Sequence, residues 1–143
     1  MCNIKRYICS MKYELQQCIG ARLRRISRIT DGYYRKCLVD FDITENQMTI
    51  LFALSKMGKI DQGIVGKRLA LERSTISRNI KLLHKKGLIL KTDEYRPEIE
   101  LTKEGIVLVK NLIPLWQKVM EELAEKIGSD GMEIIATLEK KFE

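Results

Sequence analysis

The chain has 143 residues, 45% apolar and 31% charged, enough for one modest core, and no apolar run approaches the roughly 20 residues that cross a bilayer. The charged N-terminus has no apolar run of the signal-peptide kind, so membrane and secreted classes are excluded and a cytoplasmic address is expected. The net charge of +7 is uneven: residues 1–40 carry nine Lys/Arg against three acids, 59–96 ten against four, and 97–143 six against ten, a layout that suits an oriented contact with phosphates.

The first quarter holds all four cysteines, Cys2, Cys9, Cys18 and Cys37, far from the single histidine, His84. No pair has C-x-x-C spacing, so no metal site is expected, and a cytosolic chain should keep its thiols reduced. From Met11 to about Val39, Leu15, Ile19, Leu23, Ile26, Ile29 and Tyr33 recur at three- and four-residue spacing, which predicts a long helix. Arg22, Arg24, Arg25 and Arg28 occupy its other faces. A lone helix of that length needs a partner for its apolar stripe, which points to dimerisation.

Thr44 is the expected N-cap of a second helix bearing Met48, Leu51, Phe52 and Leu54, and Gly58 stops it. Asp61 caps a short helix from Gln62 to Leu69, with Val65 and Leu69 inward and Gly66 where another helix must cross closely. Ala70-Leu71-Glu72 turns into a further helix, Arg73 to Lys86, with Ile76, Ile80 and Leu83 on one face. Two helices joined by three residues make a helix-turn-helix unit. Leu88 to Thr92 has strand character, Asp93 to Pro97 is a turn, and Glu98 to Leu101 alternates polar and apolar. Thr102 then caps a long helix carrying Ile106, Val109, Leu112, Trp116, Val119, Leu123 and Ile127. Pro114 should kink it, Gly128 ends it, and Ser129 caps a last helix with Met132, Ile135, Leu138 and Phe142.

The solvent face of the Arg73–Lys86 helix carries Arg73, Ser74, Thr75, Ser77, Arg78, Lys81 and Lys85. Short hydroxyls reach phosphates or base edges at small entropic cost, Arg78 has the planar fork that reads guanine O6 and N7, and Lys81 and Lys85 suit phosphates as point charges. Such a face is equally that of a solvated polar helix, and the hairpin that follows decides between the two. Helix, turn, helix, hairpin is the winged-helix order, and Arg96 at the hairpin tip is placed to enter an adjacent minor groove. His84 lies near the end of the same helix and reads as a partly exposed helix residue. The fold class expected is mainly α with a small β-hairpin: a winged helix-turn-helix head over 44–101, with dimerisation helices over 11–40 and 102–143, in one domain.

The stretch IDQGIVGKRLALERSTISRNIKLLHKKGLILKTDEYRPEIELTKEG resembles the winged-helix core of MarR-type transcriptional regulators, most specifically over LERSTISRNIKLLHKKGLI. GARLRRISRITDGYYRKCLVDFDITENQMTILFAL resembles the family's first two helices, and the tail with Pro114 and GSDGMEIIATLEKKF also fits. The resemblance covers about Met11 to Phe142. It implies a homodimer with interlocked terminal helices, two recognition helices in successive major grooves of pseudo-palindromic double-stranded DNA, and each wing in a flanking minor groove. By position, Ser74, Thr75, Ser77 and Arg78 match the recognition contacts and Arg96 the wing arginine. Glu72 departs from the better N-caps of the family, which weakens that cap, and the wing is short.

The resemblance further implies a repressor released by a phenolic or other small anionic ligand. The residues placed for that pocket are Arg22, Tyr33, Tyr34, Met48, Phe52 and Trp116, which serve equally as core and interface. Some relatives sense oxidants through a cysteine early in the first helix. Cys18 is near that place but about two residues early, a rotation of about 200°, although Arg22 could supply charge to a thiolate. A winged-helix module for protein contacts is the other alternative. No Gly-rich phosphate loop, metal cluster or nucleophile with a base partner is present, so neither enzymatic activity nor a cofactor is expected.

Overall fold

The computed structural model describes residues 17–142, so Cys2, Cys9 and the first residues of the expected N-terminal helix fall outside the described residues. The chain divides into two compact units after Tyr33. The elements are α1 (Ile19–Leu38), a 3-10 turn (Val39–Phe41), α2 (Glu45–Met57), β1 (Ile60–Asp61), α3 (Gln62–Arg68), α4 (Arg73–Lys85), β2 (Ile89–Lys91), β3 (Glu98–Leu101) and α5 (Lys103–Phe142). Among the described residues no helix is long and apolar enough to cross a membrane.

Within the first unit, the described part of α1 exposes its stripe: Ile19, Leu23, Ile26 and Ile29 all face solvent. The second unit holds a core built from α2, α3, α4, the sheet and the first half of α5. Ile50, Leu51, Leu54, Val65, Ile76, Ile80, Leu83, Ile89, Ile99 and Leu112 are its fully buried members. Leu51 and Leu54 of α2, Val65 of α3 and Ile76, Ile80 and Leu83 of α4 were all legible as inward positions. Gly66 is where α3 and α4 cross: a Cβ there would stand 3.2 Å from Ile76 Cγ2, and the missing side chain lets the helices close.

The helix boundaries follow from their caps. Thr44 and Gln47 form a reciprocal capping box on α2, the Gln47 amide N–H donating to Thr44 Oγ1 (3.3 Å) and the Thr44 amide to Gln47 Oε1 (3.2 Å). That bond explains why a glutamine is tolerated at 3% exposure. Asp61 Oδ1 accepts from the Gly63 and Ile64 amides at 2.7 and 3.3 Å. Thr102 Oγ1 accepts from the Gly105 amide (3.0 Å) and donates to the Gly87 carbonyl (2.7 Å), so one side chain caps α5 and ties it to the end of α4. Glu72 makes no side-chain cap bond, in line with its poor suitability as a cap.

The sheet is three-stranded, in the order β1-β3-β2. The hairpin registers Ile89 opposite Leu101 and Lys91 opposite Ile99, and β1 adds Ile60 opposite Ile99. β1 was not legible as a strand, because two residues carry no periodicity and its pairing is non-local. Pro114 lies inside α5, and the backbone leaves helical dihedrals at Gly128 (φ 74°, ψ 170°), where α5 breaks into two segments, as the glycine at that place led one to expect. The positive φ is one that glycine adopts without a side-chain clash.

Candidate nucleic-acid interface

α4 has three buried residues, Ile76, Ile80 and Leu83, and they fix which way it faces. At 100° per residue the opposite side carries Ser74, Ser77, Arg78, Lys81 and Lys85, all exposed, with Arg73 exposed at its start and Thr75 half-buried at the margin. α4 leaves Ser74, Ser77, Arg78 and Lys81 at relative positions 0, +3, +4 and +7, the set that shares one helix face. Asn79 is turned inward along the helix, its Nδ2 donating to the Thr75 carbonyl at 2.9 Å.

The cations of this region sort themselves by partner. Lys59 Nζ sits 3.1 Å from Glu98 Oε2, and its ammonium is held above the ordinary lysine range by the Glu98 hydrogen bond first, then by the charges of Glu98, Glu100 and Glu94. Lys86, the C-cap residue of α4, donates through Nζ to the Asp42 backbone carbonyl and, at 3.0 Å, to Asp42 Oδ2. Arg73, Arg78, Lys81, Lys85 and Arg96 pair with no carboxylate among the described residues. Positive charge that folding leaves uncompensated on one face is charge available to phosphates.

Arg96 stands where the sequence placed it, on the exposed tip of the β2–β3 hairpin. Thr92 closes the loop, its amide donating to the Glu98 carbonyl (3.0 Å) and its Oγ1 accepting from the Glu98 amide (2.9 Å). The sequence reading passed over Tyr95, whose ring beside Arg96 is 91% exposed. It also passed over Lys67 and Arg68 at the end of α3 and Lys91 on β2, all exposed. The count of ten bases in 59–96 was their signal. His84 is exposed, with Nδ1 3.1 Å from the Ile89 carbonyl.

The six residues placed for an effector pocket lie apart in kind. Arg22, exposed, and Tyr33, half-buried, belong to the first unit. In the second, Met48 is buried, Phe52 and Trp116 meet edge to face with centroids 5.9 Å apart, and the Tyr34 hydroxyl donates to Met120 Sδ at 3.0 Å. A cavity of about 440 Å3 is lined by others: Leu54, Leu101, Val109 and Ile113 form apolar walls, with Lys59, Lys110 and Glu100 among its polar groups. Cys18 is exposed. Cys37 is half-buried, and burial, only partly offset by a backbone hydrogen bond, raises its thiol pKa; its Sγ donates to the Tyr34 carbonyl at 3.0 Å. Among the described residues no group of three or more His, Cys, Asp or Glu side chains could hold a metal ion.

Known proteins share this arrangement. A family model described as MarR family matches residues 41–96, which span α2 to the wing tip. The HTH-type transcriptional regulator SarZ of Staphylococcus aureus is 29% identical over 103 residues, 68% of this chain and 70% of SarZ. The BpsR structure of Bordetella bronchiseptica, described for regulation of DNA binding by 6-hydroxynicotinic acid, superposes with a TM-score of 0.82 at 21% identity, covering 92% of this chain and 98% of that one. The transcriptional regulator MosR of Mycobacterium tuberculosis, solved with DNA, gives a TM-score of 0.75 at 25% identity over 87% of this chain and 96% of its own.

Proposed function

We propose that this chain, which belongs to the MarR family of DNA-binding winged-helix transcriptional regulators, works in the cytoplasm as a homodimeric repressor on a pseudo-palindromic operator. Residues 44–101 serve as the reading head, and 11–40 with 102–143 hold two heads together. Arg73, Ser74, Thr75, Ser77, Arg78, Lys81 and Lys85 face the major groove and its phosphates, and Arg96 the flanking minor groove. Regulation, not catalysis, is the activity of the relatives.

The observation that carries this reading is the division of what folding leaves uncovered. Around α4 and the wing it is cations with no carboxylate partner among the described residues; on the helices at the chain ends it is apolar side chains. Ile19, Leu23, Ile26 and Ile29 on α1, and Met132, Ile134, Ile135 and Leu138 on the last segment of α5, are all exposed. Contiguous apolar surface of this kind marks a protein interface, and residues 19–38 of α1 carry six Lys/Arg against one acid. A second copy suits both apolar faces.

The deciding experiment selects duplexes from a random library with the full chain, then measures affinity for the winner and for a scrambled duplex across salt. Arg78→Ala should erase preference at one base pair per half-site. Lys85→Ala should weaken all duplexes alike and flatten the salt slope by about 1 per head, about 2 per dimer. Equal affinity for selected and scrambled DNA, or a monomer in sedimentation, defeats the proposal.

Release by a small anionic effector is the finer part of the reading. BpsR supplies the analogy. Met48 and the Phe52–Trp116 pair fill their own space, so the cavity beside Lys110 suits a small aromatic carboxylate better than the pocket drawn from Arg22, Tyr33 and Tyr34. Such carboxylates should free the duplex from the wild type and lose that power on Lys110→Ala.

A further inference from the structure

The reading face of α4 has one residue on its flank that can neither carry charge nor donate a hydrogen bond through its side chain. Leu82 is 41% exposed, whereas Ile76, Ile80 and Leu83 on the opposite side are at most 2% exposed. Ser74, Arg78 and Leu82 stand at i, i+4 and i+8, a ridge that advances about 40° per step around the helix. Leu82 therefore lies about 6 Å along the axis beyond Arg78, on the flank of the face, with Lys81 and Lys85 beside it. The helix is short of apolar residues elsewhere on this side, and the charges around Leu82 would hold an apolar protein surface away as firmly as they attract a polyanion.

A helix about 10–12 Å wide nearly fills a major groove about 12 Å wide, so its flanks meet the groove walls. The thymine C5 methyl stands at the edge of the groove floor beside its own strand, and it is the apolar group that the floor offers. We infer that Leu82 is a specificity residue that packs on a thymine methyl. An offset of about 6 Å against about 3.4 Å per base pair puts that thymine about two base pairs from the pair read by Arg78. The inference rests on α4 being the groove-reading helix. Its partner chemistry is narrow: a methyl group on a pyrimidine, flanked by phosphates that Lys81 and Lys85 can reach.

The test uses the duplex selected by the wild-type chain. Each thymine is replaced in turn by deoxyuridine, which keeps the pairing edge and O4 and removes only the methyl. With wild-type protein, one thymine per half-site should show a loss of about fourfold, the worth of roughly one buried methyl group. Leu82→Ala, which removes the contact from both heads, should bind the thymine duplex about as weakly as the wild type binds a duplex with that thymine replaced in both half-sites, and should not distinguish the two. Leu82→Met, which retains an apolar reach, should keep the discrimination, and thermal unfolding of both variants reports whether the head is intact. No uracil effect with wild-type protein, or a Leu82→Ala variant that still senses the methyl, overturns the inference. Arg78→Ala separates this from failure of the underlying reading: base preference that survives Arg78→Ala removes α4 from the groove, whereas its loss without any uracil effect removes Leu82 alone.

Discussion

Gly105→Ala adds a single methyl and should cost the protein a large part of its stability. Gly105 is the third residue of α5, buried where the helix starts beneath the hairpin. A Cβ there would fall well inside contact distance of the Leu88 carbonyl oxygen, a backbone atom that cannot rotate aside. That oxygen accepts from the Thr102 amide at 3.1 Å, and Thr102 Oγ1 in turn holds the Gly105 amide and the Gly87 carbonyl. Relief therefore means moving the first turn of α5 away from β2 and weakening bonds at the cap. Overpacking costs about 1–3 kcal/mol, each bond weakened about 1 kcal/mol, and the helical preference for Ala returns at most about 1 kcal/mol, so the net is about 3 kcal/mol destabilising. In a chain of this size that is roughly 6–12 °C in melting temperature. Urea unfolding at fixed protein concentration, which a dimer requires, measures it. Gly32→Ala is the paired control: nothing lies within 4 Å of its Cβ, so the same change in mid-helix should be neutral or stabilising. A Gly105→Ala curve within about 0.5 kcal/mol of wild type, at equal slope, would show that the hairpin and α5 are not locked as described.

Lys86→Met should cost about 1 kcal/mol by freeing the Asp42 carbonyl. Asp42→Gly should be near neutral, since it keeps that carbonyl, relieves a left-handed residue (φ 50°) and loses only a carboxylate that is 98% exposed. Chemical denaturation of the two variants side by side distinguishes carbonyl from carboxylate. Burial pushes the Glu45 carboxyl up, but its backbone hydrogen bond and Arg35 outweigh burial and hold its pKa below the usual carboxylate value. A depressed folded pKa gives stability that is present above the unfolded value and lost as pH falls through the folded one, so melting should drop on acidification through that window and drop less in Arg35→Ala. Cys37, its thiol pKa raised by burial, should resist alkylation in the folded chain until pH passes the ordinary thiol range, read by peptide mass spectrometry. Cys18→Ser should leave DNA affinity unchanged with or without peroxide; a response lost in that variant would establish a redox switch.

What the sequence made legible was the local part. Asp61, Thr44 and Thr102 are caps because each sits just before an apolar periodicity, and all three accept the amides expected of them. Arg96 could be placed at a hairpin tip because the strands on either side alternate. The two-residue β1, by contrast, is defined only by Ile99 and Glu98 almost forty residues away, and nothing between Gly58 and Asp61 encodes it. The same limit governs charge. Ten bases in 59–96 look alike as letters, yet folding gives Lys59 to Glu98 and Lys86 to Asp42, 44 residues away, and leaves Arg78, Lys81 and Lys85 without an ion-pair partner among the described residues. Lys59 and Lys86 are themselves exposed, but each already stands against a carboxylate, at 3.1 and 3.0 Å. One links the start of β1 to β3 and the other the end of α4 to Asp42, so the bases left over for phosphates are carried on elements that the paired bases tie together.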